Sequence, residues 1–201
     1  MGPTITKEDW NNRYGEQNTP WDTGRPSTEL ARVLDTGVIP AGRTLELGCG
    51  SGTNAVYLAK RGFTVTAVDL SSLALEQASQ RAKQAGVEVT WVEGDVTKLP
   101  DLGPPFDFVF DRGCYHGVRR SNLAGFLETL RRVTGSGSKY LVLAGNANEP
   151  HEVGPPQVHE HELRQELGGL FTFDDLREFR FDENGDVPGF LAWSCLLTRK
   201  P

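Results

Sequence analysis

The sequence predicts an α/β fold: a Rossmann-like sheet of seven mostly parallel strands, helices on both faces, and an antiparallel pair at the C-terminus. Three observations predict it. Apolar β-branched runs alternate with segments of helical spacing through the middle of the chain, which implies parallel strands joined by helical crossovers. A glycine-rich turn at Gly48, Gly50 and Gly52 joins the first such strand to the first such helix. The last two extended segments flank Asn184-Gly185, a turn signal for an antiparallel hairpin.

Each element has its own signal. Lys7–Tyr14 suits a short helix, and Ser27-Thr28 can cap a second one that runs to Asp35 and stops at Gly37. Arg43–Leu47 is a short apolar strand. Asn54–Arg61 reads as a helix ended by Gly62. Phe63–Val68 is β-branched and apolar, hence a buried strand. Ser71–Ala85 carries Leu73, Ala74, Ala78 and Ala82 near one helical face and stops at Gly86. Val87–Val92 and Phe106–Phe110 are the next strands, Asn122–Val133 has helical spacing, and Tyr140–Ala144 is a fifth strand. A Pro-rich loop follows over Glu149–Gln157, then a helix over His159–Leu167. Phe171–Phe181 and Gly189–Thr198 complete the sheet.

Composition narrows the function. The 201 residues suit one domain, with residues 1–42 as an N-terminal cover and 43–201 as the core. Lys and Arg number 21 against 27 Asp and Glu, for a net charge of −6. A protein that binds nucleic acid by neutralising phosphates carries a basic surplus, so that class is disfavoured. The first twenty residues hold no apolar run, so neither a signal peptide nor a membrane span is expected. Cys49, Cys114 and Cys195 lie far apart without metal-ligand spacing. They point to a reducing cytoplasm and to no metal site. The spacing of His159 and His161 turns the two rings apart on a helix, which is poor for one metal ion.

The chemistry concentrates at strand ends. Glycines at 48, 50 and 52 let the backbone turn sharply and approach a ligand closely. Asp69 ends the second strand, where an acid reaches ribose hydroxyls. Asp95 follows the third, within reach of an adenine amino group. A dinucleotide fingerprint wants its third glycine one place later, where Thr53 stands. Glu46, two residues before the first glycine, is badly placed for a pyrophosphate and suits a cationic ligand.

These residues resemble the class I S-adenosylmethionine-dependent methyltransferases. Glu46–Gly52 matches the E/D-x-G-x-G-x-G loop, and Asp69 and Asp95 match the acids after strands two and three. The resemblance implies S-adenosylmethionine as cofactor. It implies a binding set of Glu46, Gly48, Cys49, Gly50, Gly52, Asn54, Asp69, Leu70, Ser71, Asp95, Val96 and Asp111. Trp10, Tyr14 and Trp21 fill the aromatic positions of the thiopurine, halide/thiol and tellurite-resistance methyltransferases. Trp10 and Trp21 would then help to cover the sulfonium, since ring faces attract cations. Phe106–Gly113 is similar to the F-D-x-x-x-D-R-G run of the thiopurine type, and Cys114-Tyr115-His116-Gly117 departs from it.

The expected acceptor is a small molecule: a thiol, a selenium or tellurium species, or another soft nucleophile. A phenol or quinol is the alternative, and a non-catalytic cofactor-binding module is a third reading. Soft nucleophiles need little base assistance, whereas a phenol benefits from a general base. His116 is the candidate base, with Tyr115 beside it, and Arg112 is the candidate cation for a thiolate or phenolate. Asp22 and Arg25 are expected at the same opening, and Cys114 as a small buried thiol. Asn146–Gln157 is expected to shape the acceptor pocket.

Overall fold

A computed structural model describes residues 6–182 and 189–201. The chain opens with α1 (Lys7–Gly15) and α2 (Thr28–Asp35). Thr6 and Asp9 close a reciprocal capping box on α1, and Ser27 caps α2 through the amide of Leu30. Strand–helix alternation then runs through β1 (Arg43–Leu47), α3 (Thr53–Lys60), β2 (Thr64–Asp69), α4 (Ser72–Ala85) and β3 (Thr90–Glu93). It continues through β4 (Phe106–Arg112), α5 (Cys114–Val133), β5 (Thr134–Asn146), β6 (Gln157–Val158) and α6 (Glu160–Leu167). The chain ends with β7 (Phe171–Arg180) and β8 (Leu191–Arg199).

The principal strands form one sheet in the order β3-β2-β1-β4-β5-β8-β7, and the two-residue β6 pairs beside β5. β1 to β5 are parallel, while β8 runs antiparallel to both β5 and β7. The expected architecture is therefore present, with β6 added. The expected turn residues Asn184-Gly185 lie outside the described residues.

Alternation along the strands sorts side chains into two cores. Val109, Tyr140, Val142 and Ala144 face α5 and α6, with Phe126, Leu130, Leu163 and Leu167. Phe108, Phe110, Leu141 and Leu143 face the other way, against Leu30, Val33, Ala55 and Leu58 of α2 and α3. Central strands buried on both faces read as continuous apolar runs, which explains FDFVF and YLVLA.

Three boundaries differ from expectation. β3 begins at Thr90 rather than Val87. α5 begins at Cys114, eight residues before Asn122, where a non-helical backbone (φ −151°, ψ 66°) marks a kink. β5 begins at Thr134, six residues before Tyr140. Ser138 explains the early start: its hydroxyl donates to the Phe106 carbonyl and accepts from the Gly135 amide, tying a glycine-rich stretch to β4.

Candidate active site

The carboxyl ends of β1, β2 and β4 bring the candidate residues together, as an open α/β sheet does at its change of strand order. Gly48, Gly50 and Gly52 all adopt positive φ. At Gly50 an added Cβ would lie 2.6 Å from the Tyr14 hydroxyl oxygen. At Gly52 it would lie 2.6 Å from the Ala78 Cβ and 2.8 Å from the Trp91 ring. The loop is thus packed from two sides, by α1 and by α4.

Asp69 holds the loop in place. Its Oδ2 accepts the Gly50 amide at 2.8 Å and its Oδ1 accepts the Ser71 amide at 2.8 Å. Burial pushes its carboxyl up, against those two backbone donors. Ser71 caps α4 through the amide of Ala74. Cys49 is buried, donating its amide to the Val68 carbonyl, and Leu70 is half-buried. Asp95 accepts the Thr97 amide and hydroxyl at 2.9 and 2.8 Å. Burial opposes its ionisation, but Thr97 and Lys98 hold it below the usual range. Val96 belongs to the core facing α5.

Glu46 is the electrostatic centre of this half. It is buried, and its Oε2 has no hydrogen-bond partner. Burial raises its carboxyl to about 8, the Asn54 amide favours ionisation, and Asp69 and Asp111 add repulsion. An unpaired buried acceptor costs ~1–3 kcal/mol, and more when charged. A ligand ammonium would remove that cost.

Residues before β1 close over the loop. Tyr14 is buried, and desolvation with the Asp69 charge raises its hydroxyl well above the ordinary value. Asn11 accepts the Ser71 hydroxyl at 2.8 Å. Asp22 accepts the Ser51 hydroxyl, and Asn54 accepts the Ser27 amide at 2.9 Å. Trp10 and Trp21 meet edge-on at 5.7 Å, with the Arg13 guanidinium within 6 Å of both rings, at 5.4 and 5.7 Å.

The β4 end holds the candidate catalytic residues, and the structure corrects three assignments there. Asp111 is fully buried and has no surface for a cofactor. Its oxygens accept the Cys114 and Tyr115 amides at 2.8 and 2.9 Å, capping α5, and the Tyr140 hydroxyl at 3.3 Å. Burial raises it to about 7. His116 is buried, and its Nδ1 accepts the Gly145 amide at 2.9 Å. Burial, with Arg112 and Arg120 nearby, pushes it down to about 3. A ring nitrogen already committed to a backbone amide does not collect a substrate proton. Tyr115 donates its hydroxyl to Glu166 at 2.6 Å, in a network where Arg119 joins α5 to α6. The sequence could not show these partners, because Gly145, Tyr140 and Glu166 arrive from later elements.

Arg112 does reach the opening. It donates to the Trp21 carbonyl at 3.2 Å and lies 5.0 Å over the Phe181 ring. Cys114 is half-buried with its thiol pushed up by burial, and it packs where a Gly48 side chain would stand. Arg25 is exposed. Sequence reasoning missed Phe181, Phe190 and Asn54's link to Ser27. The first two read only as strand apolar residues.

A family described as methyltransferase domain matches residues 44–137. The 2-heptyl-1-hydroxyquinolin-4(1H)-one methyltransferase of Mycobacteroides abscessus is 30% identical over 170 residues, covering 83% of this chain and 74% of that protein. The chain belongs to the class I S-adenosylmethionine-dependent methyltransferases. This methyltransferase is also 33% identical to thiocyanate methyltransferase 1 of Arabidopsis thaliana over 114 residues, 53% of this chain and 49% of that one. Its fold superposes on the Burkholderia thailandensis 1,6-didemethyltoxoflavin-N1-methyltransferase with a TM-score of 0.74 at 20% identity, covering 97% and 87% of the two chains. It is an enzyme that methylates a small molecule and takes its methyl group from S-adenosylmethionine. No helix among the described residues is long and apolar enough to cross a membrane.

Proposed function

We propose that this methyltransferase acts on a flat aromatic acceptor bearing an acidic hydroxyl. One observation carries the reading: the Arg112 guanidinium sits at the end of β4 against the Trp21 carbonyl and the Phe181 ring. A cation flanked by aromatic surface attracts a planar anion, and low local polarity strengthens that attraction. The Mycobacteroides relative, named for a hydroxyquinolinone, matches over a larger share of the chain than the thiocyanate relative. A soft anion such as thiocyanate or a thiolate is the second reading. It is favoured by the burial of His116, since such acceptors need no base.

Bound S-adenosylmethionine supplies an electrophilic methyl on a sulfonium. Glu46 Oε2 would take the cofactor ammonium, and the left-handed turn at Gly48, Gly50 and Gly52 would run beside the methionine part. Asp69 is the ribose candidate, and Asp95 the adenine candidate, with Leu70 and Val96 as apolar neighbours. Residues 1–42 act as the cover, with Trp10 and Trp21 as its aromatic part. Their work is exclusion of water and alignment of the reacting atoms, which is worth roughly 7–11 kcal/mol in favourable cases. Three free thiols suit a reducing compartment, and we assign the enzyme to the cytoplasm.

Formation of S-adenosylhomocysteine is the test. The wild type should turn over 2-heptyl-1-hydroxyquinolin-4(1H)-one faster than thiocyanate or simple thiols. Replacing Arg112 by Gln should raise KM for the anionic acceptor at least ~tenfold, the loss of one charge-assisted contact. Turnover of thiocyanate alone would reverse the order of the two readings.

A further inference from the structure

The segment between α1 and α2 is not anchored by the core. Residues 16–26 form neither helix nor strand, and none of them is buried. Burial therefore does not fix their backbone, and local stability there rests on polar and ring contacts. Two of the polar contacts fall on consecutive residues. The Trp21 carbonyl accepts the Arg112 guanidinium at 3.2 Å, and the Asp22 carboxylate accepts the Ser51 hydroxyl. Arg112 is the last residue of β4, and Ser51 lies in the glycine loop between β1 and α3. One short stretch of backbone thus reaches both the cofactor loop and the cation at the opening.

Ser51 is the firm end of this link. It is buried between two glycines of left-handed backbone. Arg81, on α4, grips it twice: Nε donates to the Ser51 carbonyl at 3.0 Å and an Nη to the Ser51 hydroxyl oxygen at 3.1 Å. The run from Arg81 through Ser51 to Asp22 begins on a cation and ends on an anion, so its bonds are charge-assisted and reinforce one another. Asp22 is fixed on both sides. Its other oxygen accepts the Gly24 amide at 3.0 Å, and its own amide donates to the Thr19 carbonyl at 2.9 Å. Arg112 is the soft end. An arginine side chain loses much rotamer freedom when it is held in one place, so its aim depends on the groups that hold it. The Trp21 carbonyl is one of those groups, with the Phe181 ring at 5.0 Å as another.

We propose that Asp22 is a positioning residue for the acceptor: it holds the Trp21 carbonyl in the place from which that carbonyl aims Arg112. This rests on the reading of Arg112 as the cation that holds an anionic acceptor. Asp22 touches neither reactant in this role. It acts through the next carbonyl back along the chain, and Ser51, clamped by Arg81, supplies the fixed point it pulls against. The acceptor cation is thereby set relative to the loop that carries the methyl donor, which is the alignment an in-line transfer needs. Without Asp22 the guanidinium remains, but the carbonyl that aims it is tied to the glycine loop no longer.

A double-mutant cycle tests the relay. Formation of S-adenosylhomocysteine would give kcat and acceptor KM for wild type, Asp22→Ala, Arg112→Gln and the double variant. Both 2-heptyl-1-hydroxyquinolin-4(1H)-one and thiocyanate would be used, and the cycle read on whichever the wild type methylates. Residues of one network couple measurably, so Asp22→Ala should raise acceptor KM at least ~threefold. In the Arg112→Gln background the same change should add less than about twofold, because the guanidinium it aims is gone. A residue that merely supports the fold, or that works through the cofactor loop, would cost the same in both backgrounds. Single effects that multiply in the double variant would therefore overturn the proposal, and so would an unchanged KM in Asp22→Ala. Wild-type KM in Arg112→Gln, or a wild type that methylates neither anion, would instead overturn the reading of Arg112 itself, leaving Asp22 no acceptor cation to aim.

Discussion

The turns after β1 and β4 stand side by side and use a buried carboxyl in opposite ways. Glu46 precedes the first turn with one oxygen unpaired. Asp111 precedes the second with both oxygens accepting, from Cys114, Tyr115 and Tyr140. Both are lifted by burial, to about 8 and about 7. The lesson is that a raised carboxyl does not by itself mark a ligand site. What matters is whether any acceptor capacity is left over after the fold has taken its share.

Disrupting the loop beside Glu46 should have the largest effect. Replacing Gly52 by Val puts a β-branched residue at φ 76° and into Ala78 and Trp91. Backbone strain of ~1–2 kcal/mol and overpacking of ~1–3 kcal/mol together give roughly 2–5 kcal/mol of lost stability, read by urea denaturation. Next comes Asp111→Ala, which leaves two α5 amides without a cap. It should cost about 1–3 kcal/mol by the same measurement, while the folded fraction binds S-adenosylmethionine within about threefold of wild type. Glu46→Gln should invert that pattern. Stability at neutral pH should hold, because the free Glu46 carboxyl is already protonated below about 8 and Gln is its neutral counterpart in shape, and calorimetry should show affinity weakened at least ~tenfold. If the two variants behave alike, the distinction between the carboxyls fails.

A smaller effect concerns pH. Free Glu46 is protonated below about 8. A bound ammonium favours the carboxylate, so binding releases a proton, and cofactor affinity should rise as pH climbs from 6 towards 8. The slope is at most tenfold per unit, and it should vanish in Glu46→Gln. Without ligand the sign for stability is the reverse. The folded carboxyl lies above its unfolded value, so its favourable contribution is complete below about 4.5 and is lost as pH rises through about 8. Smallest of all should be His116→Gln. Its amide oxygen can still accept the Gly145 hydrogen, so stability should fall by less than ~1 kcal/mol and turnover of all acceptors should change equally.

What was legible in the sequence was local. Glycine spacing exposed the β1 turn, because a left-handed backbone demands that residue type at Gly48, Gly50 and Gly52. Two-sided burial exposed the central strands. The first half of α5 was illegible because Gly113 and Gly117 look like a loop, and the cap that starts the helix is Asp111, a strand residue. The first six residues of β5 were illegible because Gly135, Ser136 and Gly137 have no strand propensity, and Ser138 secures them through β4. The roles of His116, Tyr115 and Asp111 were misread for one reason. Each is settled by a partner far away in the chain, which spacing does not reveal.

Asn54 shows how narrow such settlements are. Its carbonyl oxygen accepts the Ser27 amide, and that contact orients the rest of the group towards Glu46. Hydrolysis of that amide, the slow chemical ageing to which asparagines are prone, would swap one nitrogen for one oxygen. Shape and Ser27 contact would survive. The acid so created would face the protonated Glu46, so that two acids share one proton and one charge where the cation must land. A molecule aged in this way would keep its fold and meet the methyl donor with a negative charge already in place, and the proton release on binding would shrink.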